Sequence, residues 1–136
     1  MTGGPDRLVV LYDGDCGFCA WGLAWVLRWD RRRNLTPVAI QSAQGARLLA
    51  EVPEERRLAS WHAQDERGRR SSGGAALAPV LGRLPGGRPL AALAMRFPRA
   101  TESAYAWVAA NRSRLGRFIP GAAQRRARAL IDARMH

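Results

Sequence analysis

Polar and apolar positions divide the chain into short elements whose order can be read directly. After Arg7 the run Leu8-Val9-Val10-Leu11-Tyr12 contains no polar residue. A run without alternation predicts a strand buried on both faces, and therefore central in its sheet. From Gly17 to Asp30, Phe18, Trp21, Leu23, Trp25, Val26, Leu27 and Trp29 cover nearly the whole circumference of a helix. Such a helix is buried or meets a partner. Arg31-Arg32-Arg33-Asn34 then makes a polar turn. Leu35 to Gln41 predicts a second strand, on an edge or with Pro37 near its start, because proline cannot donate to a ladder. Ser42 can cap a helix from Ala43 to about Val52, ended by Pro53. Arg57 to Ala63 reads as a third strand, Asp65-Glu66-Arg67-Gly68 as a hairpin turn and Arg69 to Ser72 as a fourth strand. Everything beyond Gly73-Gly74 is helical. Ala75 to Leu84, Pro89 to Phe97, Arg99 to about Arg114 and Ala122 to Arg134 are separated by Pro- or Gly-containing breaks.

With 136 residues, 47% of them apolar, the chain can bury one core and is too short for two ordinary domains. Residues 1–120 are expected to form the domain and 121–136 a basic helical tail, either a solvated appendage or a docking element for an acidic partner. The opening residues Met1 to Arg7 lack a basic region followed by an apolar core, and no apolar run approaches the roughly 18 residues of a membrane span. A cytoplasmic, soluble protein is expected. The net charge of +11 raises the idea of nucleic acid. Every basic residue is arginine, however, scattered from Arg7 to Arg134 with no interleaved aromatic motif, so nucleic acid is not an expected partner.

Cys16 and Cys19 are the only cysteines, and they fall where the first strand turns into the first helix. In a reducing compartment so close a pair is redox-active, metal-binding or inert, not a structural framework. Disulfide exchange needs a thiolate with a lowered pKa and a second thiol near enough to resolve the mixed disulfide. Cys16, nearer the helix N-terminus, is the candidate nucleophile. Cys19, one turn further in, is the candidate resolving thiol. Asp13 and Asp15 complicate the electrostatics, because a carboxylate beside Cys16 raises its pKa. Either can instead cap the turn or relay a proton. A zinc site lacks its second half, since His62 and His136 have no ligand spacing, and only two chains together would supply four thiolates. Asp13-Gly14-Asp15 also imitates the start of haloacid-dehalogenase-like phosphotransferases, against which stand the short chain and the absence of lysine. No cofactor and no metal are expected.

Three further features have ordinary structural explanations beside functional ones. Trp21, Trp25 and Trp29 make a core stripe or a partner surface. His62 is a satisfied structural histidine or faces the thiols. Gly73-Gly74 is a loop needing positive φ or an anion cradle.

A βαβ unit followed by an antiparallel hairpin and C-terminal helices is the thioredoxin-like plan, with its right-handed crossover. Tyr12-Asp13-Gly14-Asp15-Cys16-Gly17-Phe18-Cys19, with Asp30 downstream, resembles the signature of the DCC family of thiol-disulfide oxidoreductases. The likeness extends through Ile40-Gln41-Ser42, Ser60-Trp61-His62, Gly68 to Leu77, Leu84-Pro85-Gly86-Gly87 and Tyr105 to Pro120, so it covers roughly Leu8 to Pro120. It implies a thioredoxin-like fold and a dithiol activity carried by Asp13, Cys16 and Cys19. The partner would be a protein or small-molecule thiol or disulfide, with an electron donor the residues do not name. Two departures from better-known thioredoxins stand out. Pro53 lies too far before the third strand to take the place of their cis-proline, and Gly17-Phe18 stands between the cysteines in place of Gly-Pro. The competing expectation from another class is a non-catalytic thioredoxin-like interaction module using the tryptophan-rich helix and the basic tail.

Overall fold

The computed structural model describes residues 7–135, so the readings made on Met1 to Asp6 and on His136 lie outside the described residues. The strands are β1 (Leu8–Tyr12), β2 (Leu35–Ala39), β3 (His62–Asp65) and β4 (Arg70–Ser72). They form one mixed sheet in the order β2-β1-β3-β4. β1 runs parallel to β2 and antiparallel to β3, with Val10 beside Pro37 on one side and Ala63 on the other. β2 is an edge strand, as Pro37 requires.

The uniform apolarity of β1 follows from its two covered faces. Leu8, Val10 and Tyr12 point into the larger core with Leu23 and Leu27 of helix α1 (Gly17–Trp29). Leu11 points the other way, to Val38, Ile40 and Leu49 around helix α2 (Ala43–Leu48). Ser42 caps α2, its hydroxyl accepting the Gly45 N–H at 3.0 Å.

Three expectations shift. The helix expected to reach Val52 ends at Leu48, and the strand expected from Arg57 begins at His62. Between them lies a one-turn helix, α3 (Glu54–Arg57), opened by Pro53, with Glu54 and Glu55 in its first turn and Arg56 and Arg57 in its last. That charge order complements the helix dipole, and it overrides the strand reading. The single helix expected from Ala75 to Leu84 is a 3-10 turn, Gly73–Ala76, followed by α4 (Leu77–Gly82).

Helices α5 (Arg88–Arg96), α6 (Pro98–Gly116) and α7 (Gly121–Met135) complete the chain. α7 corrects the solvated-appendage expectation. It packs along α1 and buries Ala127 and Ile131, the latter inside the larger core at 1% exposure. Arg134 of α7 reaches the fully buried Asp30 at 2.8 Å and donates to the carbonyls of Leu27, Leu35 and Asp30. Asp30 in turn accepts the N–H groups of Asn34 and Leu35. One ion pair thus ties the α1–β2 connection to the end of the chain. The α1 tryptophans divide between core and surface: Trp29 packs against the core and donates to the Pro85 carbonyl, whereas Trp25 is 55% exposed.

Candidate functional site

The site is built on the turn between β1 and α1. Cys16 is the N-cap of α1, with extended backbone angles, and its Sγ accepts the Cys19 N–H at 3.3 Å. A sulfur at this place takes a donor that the first helical turn would otherwise leave unpaired, and it meets the positive end of the helix dipole. Asp13 organises the turn before it. Its Oδ1 accepts the Asp15 N–H at 3.0 Å and the Gln41 amide at 2.7 Å. Gln41 in turn accepts the Gly14 N–H, and Arg128 of α7 donates to the Gly14 carbonyl.

Both cysteines are free and half-buried, but they face different surroundings. Cys16 lines a polar groove of about 360 Å³ bordered by Asp13, Asp15, Arg112, Arg117 and Gln124. Cys19 lines a cavity of about 230 Å³ walled mainly by apolar side chains, among them Phe18, Val26, Trp61 and Tyr105. Asp13, Phe18 and Arg112 border both spaces. Cys16 therefore opens on a polar groove, and Cys19 on a largely apolar cavity.

The electrostatics follow this division. The Cys16 pKa is lowered to about 6, first by a hydrogen bond from the Cys19 thiol, then by the Cys19 N–H and the charge of Arg112. Burial and Asp13 oppose the shift without cancelling it. Asp13 thus acts on Cys16 in the direction opposite to the helix dipole. The Cys19 pKa is raised, first by its hydrogen bond to Cys16, then by burial and by the Cys16 charge, while Arg112 pulls it down.

Arg112 escaped the sequence reading. It stands on α6, 93 residues beyond Cys19, and no local pattern links the two. Its Nη1 donates to Cys19 Sγ at 3.8 Å, and its Nη2 donates to the Leu58 carbonyl at 2.9 Å and lies 3.5 Å from Asp13 Oδ2. The helix carrying it is anchored twice. Tyr105 accepts the Trp61 N–H at 2.9 Å and stacks on the Trp61 ring, and Glu102 accepts the Gly74 N–H at 2.9 Å. The anion at the Gly73-Gly74 loop is therefore a side chain of the protein itself, and Gly73 has the positive φ, 62°, that its loop reading requires. Trp61 is the residue directly before β3; Pro53 only opens α3, and no cis peptide bond occurs among the described residues. His62 is the satisfied structural histidine: buried, with Nδ1 2.6 Å from the Ser72 hydroxyl and Nε2 2.9 Å from the Arg57 carbonyl. Burial lowers its pKa, and it does not line the thiol site.

A family model described as DCC1-like thiol-disulfide oxidoreductase matches residues 10–118. No curated protein and no solved structure matches the chain. The matched span contains both cysteines, Asp13, all of the sheet except Leu8 and Val9, and the whole of α6. The chain belongs to the DCC1-like thiol-disulfide oxidoreductase family.

Proposed function

We propose that the protein is a thiol-disulfide oxidoreductase whose Cys16 and Cys19 exchange with the disulfide of a protein or small-molecule substrate. The observation that carries this reading is Cys16 Sγ at the N-cap of α1, beside an open groove and hydrogen-bonded to Cys19. The Cys16 thiolate attacks a substrate disulfide, forming a mixed disulfide and releasing one substrate thiolate. Cys19, once deprotonated, attacks Cys16 Sγ. The Cys16–Cys19 disulfide closes, the second substrate thiolate leaves, and two electrons have passed from the dithiol to the substrate. In this reading Asp13 orients the turn and assists transfer of the Cys19 proton, which its place in the lining of the Cys19 cavity supports. The reverse reaction uses the same groups, so the direction is set by whichever partner supplies or removes electrons. A lone pair of cysteines two residues apart, with no other cysteine in the chain, suits a cytoplasmic setting. No helix among the described residues is long and apolar enough to cross a membrane.

The interaction-module alternative loses part of its material to the fold. Trp29 is spent on Pro85, and Arg134 of the basic helix is spent on Asp30. The exchange reading is tested by trapping. A Cys19→Ser variant should accumulate a mixed disulfide at Cys16 when challenged with a disulfide substrate, seen as a mass increment, and Cys16→Ser should accumulate none. Reductase activity that survives in Cys16→Ser would overturn the assignment.

A further inference from the structure

Successive turns of α6 present Glu102, Tyr105, Val108, Ala109 and Arg112, and each of these touches the redox site or the loops beside it. The spacing of three and four residues puts them on one helix face. Glu102 and Tyr105 fix that face to the backbone at Gly74 and Trp61, which sets where Arg112 stands. Its guanidinium then meets a sulfur, a carboxylate and a backbone carbonyl at once, within the distances given above. It also borders both the polar groove of Cys16 and the apolar cavity of Cys19. A guanidinium offers these acceptors donors on two separate nitrogens of one rigid plane, whereas an ammonium has all its donors on a single nitrogen.

We propose that Arg112 is a catalytic residue of the dithiol, stabilising the Cys16 thiolate before attack and the Cys19 thiolate during resolution, and holding Asp13 as acceptor of the Cys19 proton. The inference rests on the exchange reading. The charges at the two sulfurs change in a definite order. In the reduced protein the negative charge sits on Cys16, and Arg112 shares in stabilising it. Formation of the mixed disulfide removes that charge and takes away the hydrogen bond and the repulsion that hold the Cys19 proton in place. What then still opposes ionisation of Cys19 is burial, and the cation already beside its sulfur offsets it. The proton passes to Asp13, whose Oδ2 faces Arg112 and which lines the same cavity as Cys19. Among the described residues, the charged or titratable groups lining the two spaces beside the thiols are Tyr12 on β1, Asp13 and Asp15 on the turn, Tyr105 and Arg112 on α6, and Arg117 just beyond its end, while Arg128 of α7 reaches the Gly14 carbonyl. Of these, only Arg112 donates to a cysteine sulfur.

The test is a single turnover of the pre-reduced full chain with a neutral dipyridyl disulfide. One thiopyridone is released when Cys16 attacks and a second when Cys19 resolves, so no external reductant is needed. Arg112→Met should move the pH midpoint of the first release upward and slow the second release about tenfold near neutral pH, where the lost cation is worth roughly one pKa unit or more. Arg112→Lys should restore the first midpoint by restoring charge, and the second release only in part. Asp13→Asn should also slow the second release, but it should move the first midpoint down, because the Asp13 charge raises the Cys16 pKa. Opposite shifts of the first midpoint are not what a general loss of packing produces. Wild-type pH profiles for both releases in Arg112→Met would overturn the proposal, as would equal effects of Met and Lys. If the wild type released no second thiopyridone, the exchange reading itself would fall instead.

Discussion

At the scale of single residues, Cys16 and Cys19 are two identical side chains in unequal surroundings. Cys16 receives hydrogen bonds from both the backbone and the thiol of Cys19, so its thiolate is solvated by the protein. Cys19 gives its proton to that bond and loses water as well. Removing the donor should show the dependence: Cys19→Ala is expected to raise the Cys16 pKa from about 6 toward the ordinary thiol value, followed by the pH dependence of alkylation. The sign for stability follows from the same shift. The folded pKa of Cys16 lies below its unfolded value, so its stabilisation is present in full above the unfolded pKa and is lost as pH falls through about 6. The reduced protein should therefore lose thermal stability as pH is lowered through that point, and Cys16→Ser should lack this part of the dependence. The placement of Cys16, Cys19 and Asp13 at one strand-to-helix turn was legible in the sequence because helix-start chemistry is local. Arg112 was not, because its contact with Cys19 depends on how α6 folds back onto the sheet.

At the scale of elements, local signals located β1, α1 and the cap of α2, since each is set by a run or a residue within one turn. The boundaries of β3 and α4 were misplaced where two local preferences compete. The segment after Pro53 carries charges in the order a helix wants and apolar residues a strand would take, and the helix takes the first four of them. α7 was misread for a different reason. Its arginines suggest a solvated face, but Ala127 and Ile131 lie on the other side of the helix and Arg134 serves a buried carboxylate. Ile131→Ala should cost about 2–5 kcal/mol, the range for truncating a buried aliphatic side chain. Arg134→Met should destabilise by a similar amount, because it leaves Asp30 buried without its cation. Thermal or denaturant unfolding reads both. A protein that tolerated either change without loss would show that α7 does not carry the core.

At the scale of the whole molecule, the charge of +11 resolves in part into internal structure. Arginines donate to backbone carbonyls across the fold: Arg57 to Val52, Arg70 to Leu48, Arg112 to Leu58, Arg128 to Gly14 and Arg134 to Leu27. With no lysine in the chain, arginine supplies both the surface charge and these ties. The same economy reaches the site, where a cation brought by the C-terminal half completes a thiol pair presented by the N-terminal half. The exchange chemistry turns on Cys16 being an activated thiolate paired with Cys19. Measuring Cys16 alkylation against pH in the reduced full chain, with the mass of the oxidised form taken alongside, tests it most directly. A midpoint near 6 and a single intramolecular Cys16–Cys19 disulfide on oxidation are expected. A midpoint at the ordinary thiol value, with no intramolecular disulfide, would contradict it.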